Sequence, residues 1–423
     1  MPDGDDRERL RIGMLWNLVP VALLGIVGIG LNFFIGGWWG PATLGVFNQV
    51  ATAYFFVAVF GGVGINFSVL RAIAEKPGDH ERVAAIFIGA LIPTVALGAV
   101  VTVGFVLARG LIADLLDSDA VATGIASTAP GLFCFTINKV LLATVNGLGR
   151  MRAFAVYTSI RYLVLAAALA GASAADVRAE YLPVVWSITE GALLIVLIGE
   201  VLATVRLRAA RGWRMWSVEH LRFGTRGVGA ALLFEINSRL DIWILGASMS
   251  DAQVGVYSMA SSIAEGASQV AVVLQINVNP TIAADLAAGR TAEIEQRIRR
   301  ARRWFVPLMA GGCGVGVAMF PFVIPWMTGD EAFTAAALPF ALLCGGLVAA
   351  SPWLPFNQIL VMGGHPGWQT IYVLLSVTVN VALILLLIPR LGLEGAALGT
   401  ALSLVASALL LRRLSRSIVS VRM

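Results

Sequence analysis

Apolar residues recur in long blocks from one end of the chain to the other, separated by short polar segments. Each block has about 18 residues or more, enough to cross a hydrocarbon core about 30 Å thick. Inside such a core the backbone must bond to itself, so blocks of this kind become helices. They predict twelve helices, at about 12–37, 44–70, 83–108, 120–147, 154–172, 181–205, 227–248, 254–284, 304–326, 334–362, 369–388 and 395–411. Pro130, Pro280, Pro321, Pro325, Pro352 and Pro355 interrupt several of them, as is tolerated where neighbours or a cavity satisfy the freed backbone groups. The first block lacks a short apolar region followed by a small-residue cleavage site, so it reads as a retained helix. The expected fold is an all-α polytopic membrane protein.

Composition agrees. Of 423 residues, 58% are hydrophobic and 13% charged, and the mean hydropathy is +0.84. A soluble domain is about a quarter charged, and no polar stretch here exceeds a short amphipathic helix. Lysine and arginine orient the chain. With the N-terminus inside, 24 of the 30 fall in cytoplasmic segments, against three outside, Arg109, Arg178 and Arg390. The positive-inside rule then puts both termini in the cytoplasm, in a multi-pass protein of the cell inner (plasma) membrane. The net charge of +5 follows from this bias. RIRRARR at 297–303 is read as topogenic, within a short amphipathic helix at the headgroups, and not as a nucleic-acid patch.

The largest interior segment, RLRAARGWRMWSVEHLRFGTR at 206–226, divides the chain near its middle. The expected organisation is a six-helix lobe over 1–205, a basic cytoplasmic linker over 206–226 and a second six-helix lobe over 227–423, around a central cavity. Two echoes support a duplication. TLGVFNQVATAYFF at 43–56 resembles QVGVYSMASSIAEG at 253–266, and GINFSVLRAIAE at 64–75 falls opposite QINVNPTIAADL at 275–286. Lobes of equal orientation are related by an axis along the membrane normal and can rock to give alternating access. GIVGIG at 25–30, GGVG at 61–64 and GGCGVG at 311–316 are helix-packing runs. No strand precedes GGCGVG, so it is no dinucleotide loop. Cys134, Cys313 and Cys344 lie scattered in apolar runs, and His80, His220 and His365 lie far apart in loops, so neither set predicts a disulfide framework or a metal site.

At this point the chain resembles a family. DIWILGASMSDAQVGVYSMASSIAEGASQVAVVLQINVNPTIAADLAAG at 241–289 is similar to the seventh and eighth helices of lipid-linked oligosaccharide flippases of the polysaccharide-exporter type, in Asp241, Leu245, Gly246, Gly255, Val256, Tyr257 and Pro280. These flippases share a superfamily with multidrug extruders and peptidoglycan-precursor flippases. NVALILLLIPRLGLEGAALGTALSLVAS at 380–407 resembles the last two helices of the family, and GGVGINFSVLRAIAE at 61–75 the end of its second. The motifs are packing signatures. The resemblance implies a twelve-helix exporter that lacks the extra helix pair of the peptidoglycan-precursor flippases, and with it an undecaprenyl-diphosphate-linked oligosaccharide as cargo.

Seven charged residues fall inside the apolar blocks: Lys139, Arg161, Glu190, Glu235, Arg239, Asp241 and Glu265. Charge at that depth is expensive and marks function by default. Lys139 and Arg161 each lie roughly 10–12 Å from the cytoplasmic end of neighbouring helices. Two cations at one level repel unless an anion or an acid lies between them, and a diphosphate would suit. The alternative for Lys139 is to snorkel to the interface. In LLFEINSRLDIWIL at 232–245, Glu235 and Arg239 form an i,i+4 pair, with Asn237 and Asp241 on nearly the opposite face. Either the first pair lines the cavity, so that Arg239 meets the cargo while Glu235 competes for it, or that pair is a self-neutralised contact between helices and Asp241 faces the cavity or a loop. Glu190 and Glu265 are expected in the outer part of their helices, one per lobe. With Glu235 and Asp241 they are the candidates for coupling to H⁺ or Na⁺, unless they are structural.

Nothing resembles a nucleotide loop, metal cluster or nucleophile arrangement, so no enzyme, cofactor or nucleic-acid partner is expected. The reading is a flippase moving a lipid-diphosphate-linked oligosaccharide from the cytoplasmic to the outer leaflet by cation-coupled alternating access, with Lys139, Arg161 and Arg239 meeting the cargo. The rival is a cation-coupled multidrug extruder, which needs acids dominating its lumen. A membrane glycosyltransferase needs a larger exterior loop than RGLIADLLDSD at 109–119.

Overall fold

The computed structural model describes residues 4–207 and 210–423. Arg208 lies outside the described residues, and Arg7, Arg9, Arg11, Asn237 and Pro280 lie outside the described side chains. Among the described residues every regular element is helical: α1 Gly4–Gly62, α2 Ile65–Glu75, α3 His80–Leu107, α4 Arg109–Leu116, α5 Asp119–Gly147, α6 Met151–Ala174, α7 Val184–Thr204, α8 Trp213–Gly246, α9 Asp251–Ala287, α10 Thr291–Thr328, α11 Ala337–Ala350, α12 Ile359–Met362 and α13 Pro366–Ile418. Eight helical stretches among the described residues are long and apolar enough to cross a membrane, or nine with the bent α9 taken as one span. The protein is a multi-pass membrane protein.

The longest two helices are broken by glycine. In α1, Gly40 takes φ 82° and ψ 176°, and in α13, Gly392 takes φ 61° and ψ −129°. Positive φ is open to glycine without steric penalty, and at Gly40 the ring of Pro41 also drives the preceding residue out of the α region. Other expected spans differ from the pattern. The helix expected over 44–70 is interrupted at Val63 and Gly64, both at positive φ, and resumes as α2. The helix expected over 334–362 ends at Ala350 and resumes only as a 3-10 turn at Leu354–Phe356 and the short α12. Pro352 and Pro355 lack the donors that a continuous helix needs there. Conversely, EIEQRIRRARRW is no separate surface helix: it forms the first turns of α10, continuous with the apolar stretch. Most of the expected linker is also helical, since Trp213–Arg226 begins α8.

The chain divides into two compact units, Met1–Leu31 with Val46–Glu235, and Asn32–Gly45 with Ile236–Met423. In the first, Ile65, Val69 and Ile73 of α2, Ile86 and Phe87 of α3, Val140 and Leu141 of α5, and Leu193 and Leu197 of α7 form one core. The start of α8 docks on this unit. Gly89 of α3 leaves room for it, since a Cβ there would lie 2.6 Å from Cβ of Trp216. His220, predicted in a loop, is instead a buried helical residue, with Nδ1 2.8 Å from Oγ of Ser68 and Nε2 3.1 Å from the Ile86 carbonyl. Trp216 stacks on its ring and also carries the Arg82 guanidinium.

In the second unit α11 packs on α13, where a Cβ on Gly346 would sit 2.5 Å from Cα of Ala401. Two members of the sequence echo meet here. A Cβ on Gly45 would collide with the Asp251 carbonyl, and a Cβ on Gly255 with the Pro41 carbonyl. The contact is reciprocal in the same register, as across a two-fold axis.

Candidate functional site

The site in the first unit is set by a break in α5. Pro130 cannot donate to the helix ladder. Ser187 of α7 inserts at that point: its hydroxyl donates to the Ser127 carbonyl at 2.7 Å and accepts from the Gly131 N–H at 3.0 Å. Gly131 makes the insertion possible, because a Cβ there would lie 2.8 Å from Cα of Ser187. The Tyr54 hydroxyl donates to the Gly131 carbonyl at 3.2 Å. With α5 and α7 locked here, helix periodicity carries two polar residues onto the same seam, Asn138 seven residues past Gly131 and Glu190 three past Ser187.

There the Asn138 amide donates both to the Glu190 backbone carbonyl at 2.9 Å and to its Oε2 at 2.8 Å. Arg161 of α6 completes the group, with Nε 2.8 Å from Oε1 of Glu190 and Nη2 3.2 Å from Oε2. The Glu190 side chain is 1% exposed and that of Arg161 14%. Lys139, one residue past Asn138, is half-buried beside Gly62 of α1. Its ammonium lies 5.3 Å from the Phe135 ring centroid, and the Arg161 guanidinium carbon lies 5.2 Å from the same centroid. The negative face of an aromatic ring attracts both cations. The charges acting on Lys139 are Arg161 and Glu235. Beyond Phe135 the aromatic cluster continues through Tyr54, Phe55, Trp186 and Phe47.

The structure therefore brings Lys139 and Arg161 to one ring, on two helices, and adds Glu190 from a third as the acid paired with Arg161. Glu190, expected from sequence as a coupling group, pairs directly with Arg161, whereas the acid whose charge acts on Lys139 is Glu235. Glu235 and Arg239 are half-buried on α8, one turn apart. In the second unit, Asp241 is buried and accepts the Tyr257 hydroxyl at 2.7 Å and the Ile242 N–H at 2.9 Å. Both Asp241 and Tyr257 belong to the motif that carried the family resemblance, and the bond between them ties α8 to α9. Glu265 is exposed on α9, where its charge acts on Asp241.

Phe135 and Asn138 were not singled out from sequence. The available signal was polarity within an apolar run, FCFTINKV, where Asn138 sits beside the lysine. No group of three or more His, Cys, Asp or Glu residues among the described residues could hold a metal ion, and the cysteines are free.

Residues 39–284, more than half of the chain, match the family described as polysaccharide biosynthesis proteins. The chain belongs to that family. The matched stretch contains every candidate site residue named above. No curated protein matches the chain. Among solved structures, a multidrug resistance MATE family transporter of the MOP superfamily in its inward-facing conformation superposes with a TM-score of 0.75, at 14% identity over 96% of this chain and 98% of its own. The lipid II flippase MurJ in an inward closed conformation gives 0.76, at 12% identity over 94% and 86%. A mutant form of the Vibrio cholerae MATE transporter VcmN gives 0.65, at 15% over 97% of each chain. The polysaccharide biosynthesis family member thus has the fold of MATE and MurJ transporters.

Proposed function

We propose that this polysaccharide biosynthesis protein is a flippase. It moves a lipid-diphosphate-linked oligosaccharide from the cytoplasmic to the outer leaflet of the inner membrane, by alternating access of two six-helix lobes coupled to H⁺ or Na⁺. The undecaprenyl-diphosphate form is the expected cargo. The observation that carries the reading is the pair Lys139 and Arg161 on one aromatic ring, with Glu190 as a buried acid held by Arg161 and Asn138. A diphosphate offers oxygens to both cations at once, an arginine fork and a lysine point charge. The cargo and the Glu190 carboxylate then compete for Arg161. Occupancy of Glu190 by a proton or sodium ion would release the guanidinium, which links the coupling ion to the cargo. Glu235, whose charge reaches Lys139, would act on the second cation in the same way, and Arg239 would add a third.

A second reading, a cation-coupled multidrug extruder, is favoured by the likeness to the MATE transporter. One binding experiment separates the two. Purified protein is offered a lipid diphosphate and, separately, a cationic dye, as wild type and as Lys139→Gln and Arg161→Gln/Glu190→Gln variants. The flippase reading expects the diphosphate to bind and each variant to weaken it at least tenfold. Dye binding without diphosphate binding identifies the extruder.

A further inference from the structure

The last two turns of α13 carry a cluster that the proposed transport cycle does not use. Leu409, Arg412, Arg413, Arg416 and Ser417 line a cleft of about 560 Å³ at the end of that helix. Their spacing of three and four residues places them on one face. The opposite face, Ala408, Leu411 and Ser415, is buried in the second unit. All three arginines are exposed.

The acids on the stretches of α9 and α10 that share a core with Leu411 are engaged with other groups. Asp285 is held by Arg290 at 2.6 Å and Arg297 at 3.0 Å, Glu293 by Arg290 at 3.3 Å, and Glu295 by Arg299 at 3.6 Å and by the Arg422 N–H at 2.8 Å. The sequence holds no acid after Glu394. Arg412 acts instead on another cation, Arg302, which is occupied by the Pro352 carbonyl at 2.7 Å and the Trp353 ring. One cation in the last turn of a helix complements the dipole. Three within five residues repel one another, and an anion bound among them would relieve that repulsion.

The same face shows where that anion comes from. One and two heptads back lie Leu409 and Leu402, 51% and 44% exposed, in a helix that is long and apolar enough to cross a membrane. The stripe therefore passes from exposed leucines, suited to acyl chains, directly to arginines at the level of headgroups. We propose that this cleft is a binding site for an anionic phospholipid of the cytoplasmic leaflet. Its phosphate would be clasped by Arg412, Arg413 and Arg416, and its acyl chain would lie along Leu409 and Leu402. Clusters of basic residues just beyond a membrane helix attract such lipids, each charge contributing about fivefold in affinity. The site is independent of the Lys139–Arg161 pair.

The test counts lipids retained by the purified full chain in native mass spectrometry, from micelles doped with equal phosphatidylglycerol and phosphatidylcholine. Wild type is expected to keep phosphatidylglycerol selectively. Arg412→Gln/Arg413→Gln/Arg416→Gln should lose it by about a hundredfold, three charges at the factor above. Arg299→Gln/Arg300→Gln/Arg303→Gln, which removes the same charge from exposed positions on α10, should retain it. Equal retention by the first variant, or equal loss by the second, would overturn the site. Inorganic phosphate at millimolar concentration is the third arm. Displacement of the lipid by it would show a soluble-phosphate site and overturn the lipid assignment; retention supports it.

Discussion

Arg161 and Glu190 meet where little of either side chain is exposed, and neither charge would be stable there alone. Removing one member of a buried pair leaves an uncompensated charge and costs about 3–5 kcal/mol, whereas removing both can be nearly neutral. Arg161→Ala should therefore destabilise the protein severely, with Glu190 left 1% exposed and held only by the Asn138 amide. Arg161→Ala/Glu190→Gln should recover most of that loss. Heat denaturation in mild detergent measures the cycle. Additive losses would mean that the two charges do not interact across the 2.8 Å seen here, and the competition between cargo and carboxylate would lose its basis. Lys139 behaves differently, because it is half-buried and its ammonium lies against a ring face. Lys139→Gln is expected to leave stability within about 1 kcal/mol of wild type while weakening diphosphate binding. That separation would mark it as a residue kept for the ligand.

The elements show why the helices could be read in advance and the site only in part. Apolar blocks give the height of a residue in the membrane, and breaks such as Gly40-Pro41 and Gly392 fall in the expected gaps. Height placed Lys139 and Arg161 level with one another. It could not reveal that Glu190 turns toward them, because that depends on the rotation of α7 against α5. Rotation there is set by Ser187 entering the break at Pro130 across a glycine, a contact 56 residues apart in sequence. The docked start of α8 was hidden for the same reason. The six arginines over 206–226 read as a plain basic linker, but Trp216 and His220 repeat at helical spacing, and Trp216 fits the notch at Gly89. Burial holds the His220 imidazole below its ordinary value, against the opposing pull of the Ile86 carbonyl and Glu219. A base with a depressed folded value docks fully above its unfolded value of about 6.5 and weakens as pH falls through it. Hydrogen-exchange protection over residues 213–226, taken relative to the base-catalysed intrinsic rate at each pH, is therefore expected to fall between about pH 7 and pH 5, and His220→Gln should remove the dependence. An unchanged profile in wild type would show that the imidazole does not titrate there.

At the scale of the molecule, the proposals share one assumption, the orientation of the chain. The diphosphate pair must be reached first from the cytoplasmic leaflet, and the arginine stripe of α13 must face the headgroups of that leaflet. Both rest on the expectation drawn from lysine and arginine, 24 in segments assigned inside against three outside, a bias larger than one or two charges would reverse. Orientation can be measured without reference to activity. Cys134, Cys313 and Cys344 are the three cysteines of the chain, so a background with all three changed to alanine leaves no competing thiol. In it, Lys76→Cys and Ser420→Cys, both exposed, should be blocked by a thiol reagent only after the membrane is made permeable. Asp114→Cys, exposed on α4, should react in intact cells. The reverse pattern would place both basic clusters at the outer face, where an exporter could not load its cargo and the phospholipid site would face the wrong leaflet. The labelling pattern therefore comes before any transport assay, because export of a lipid-linked sugar is possible in only one of the two orientations.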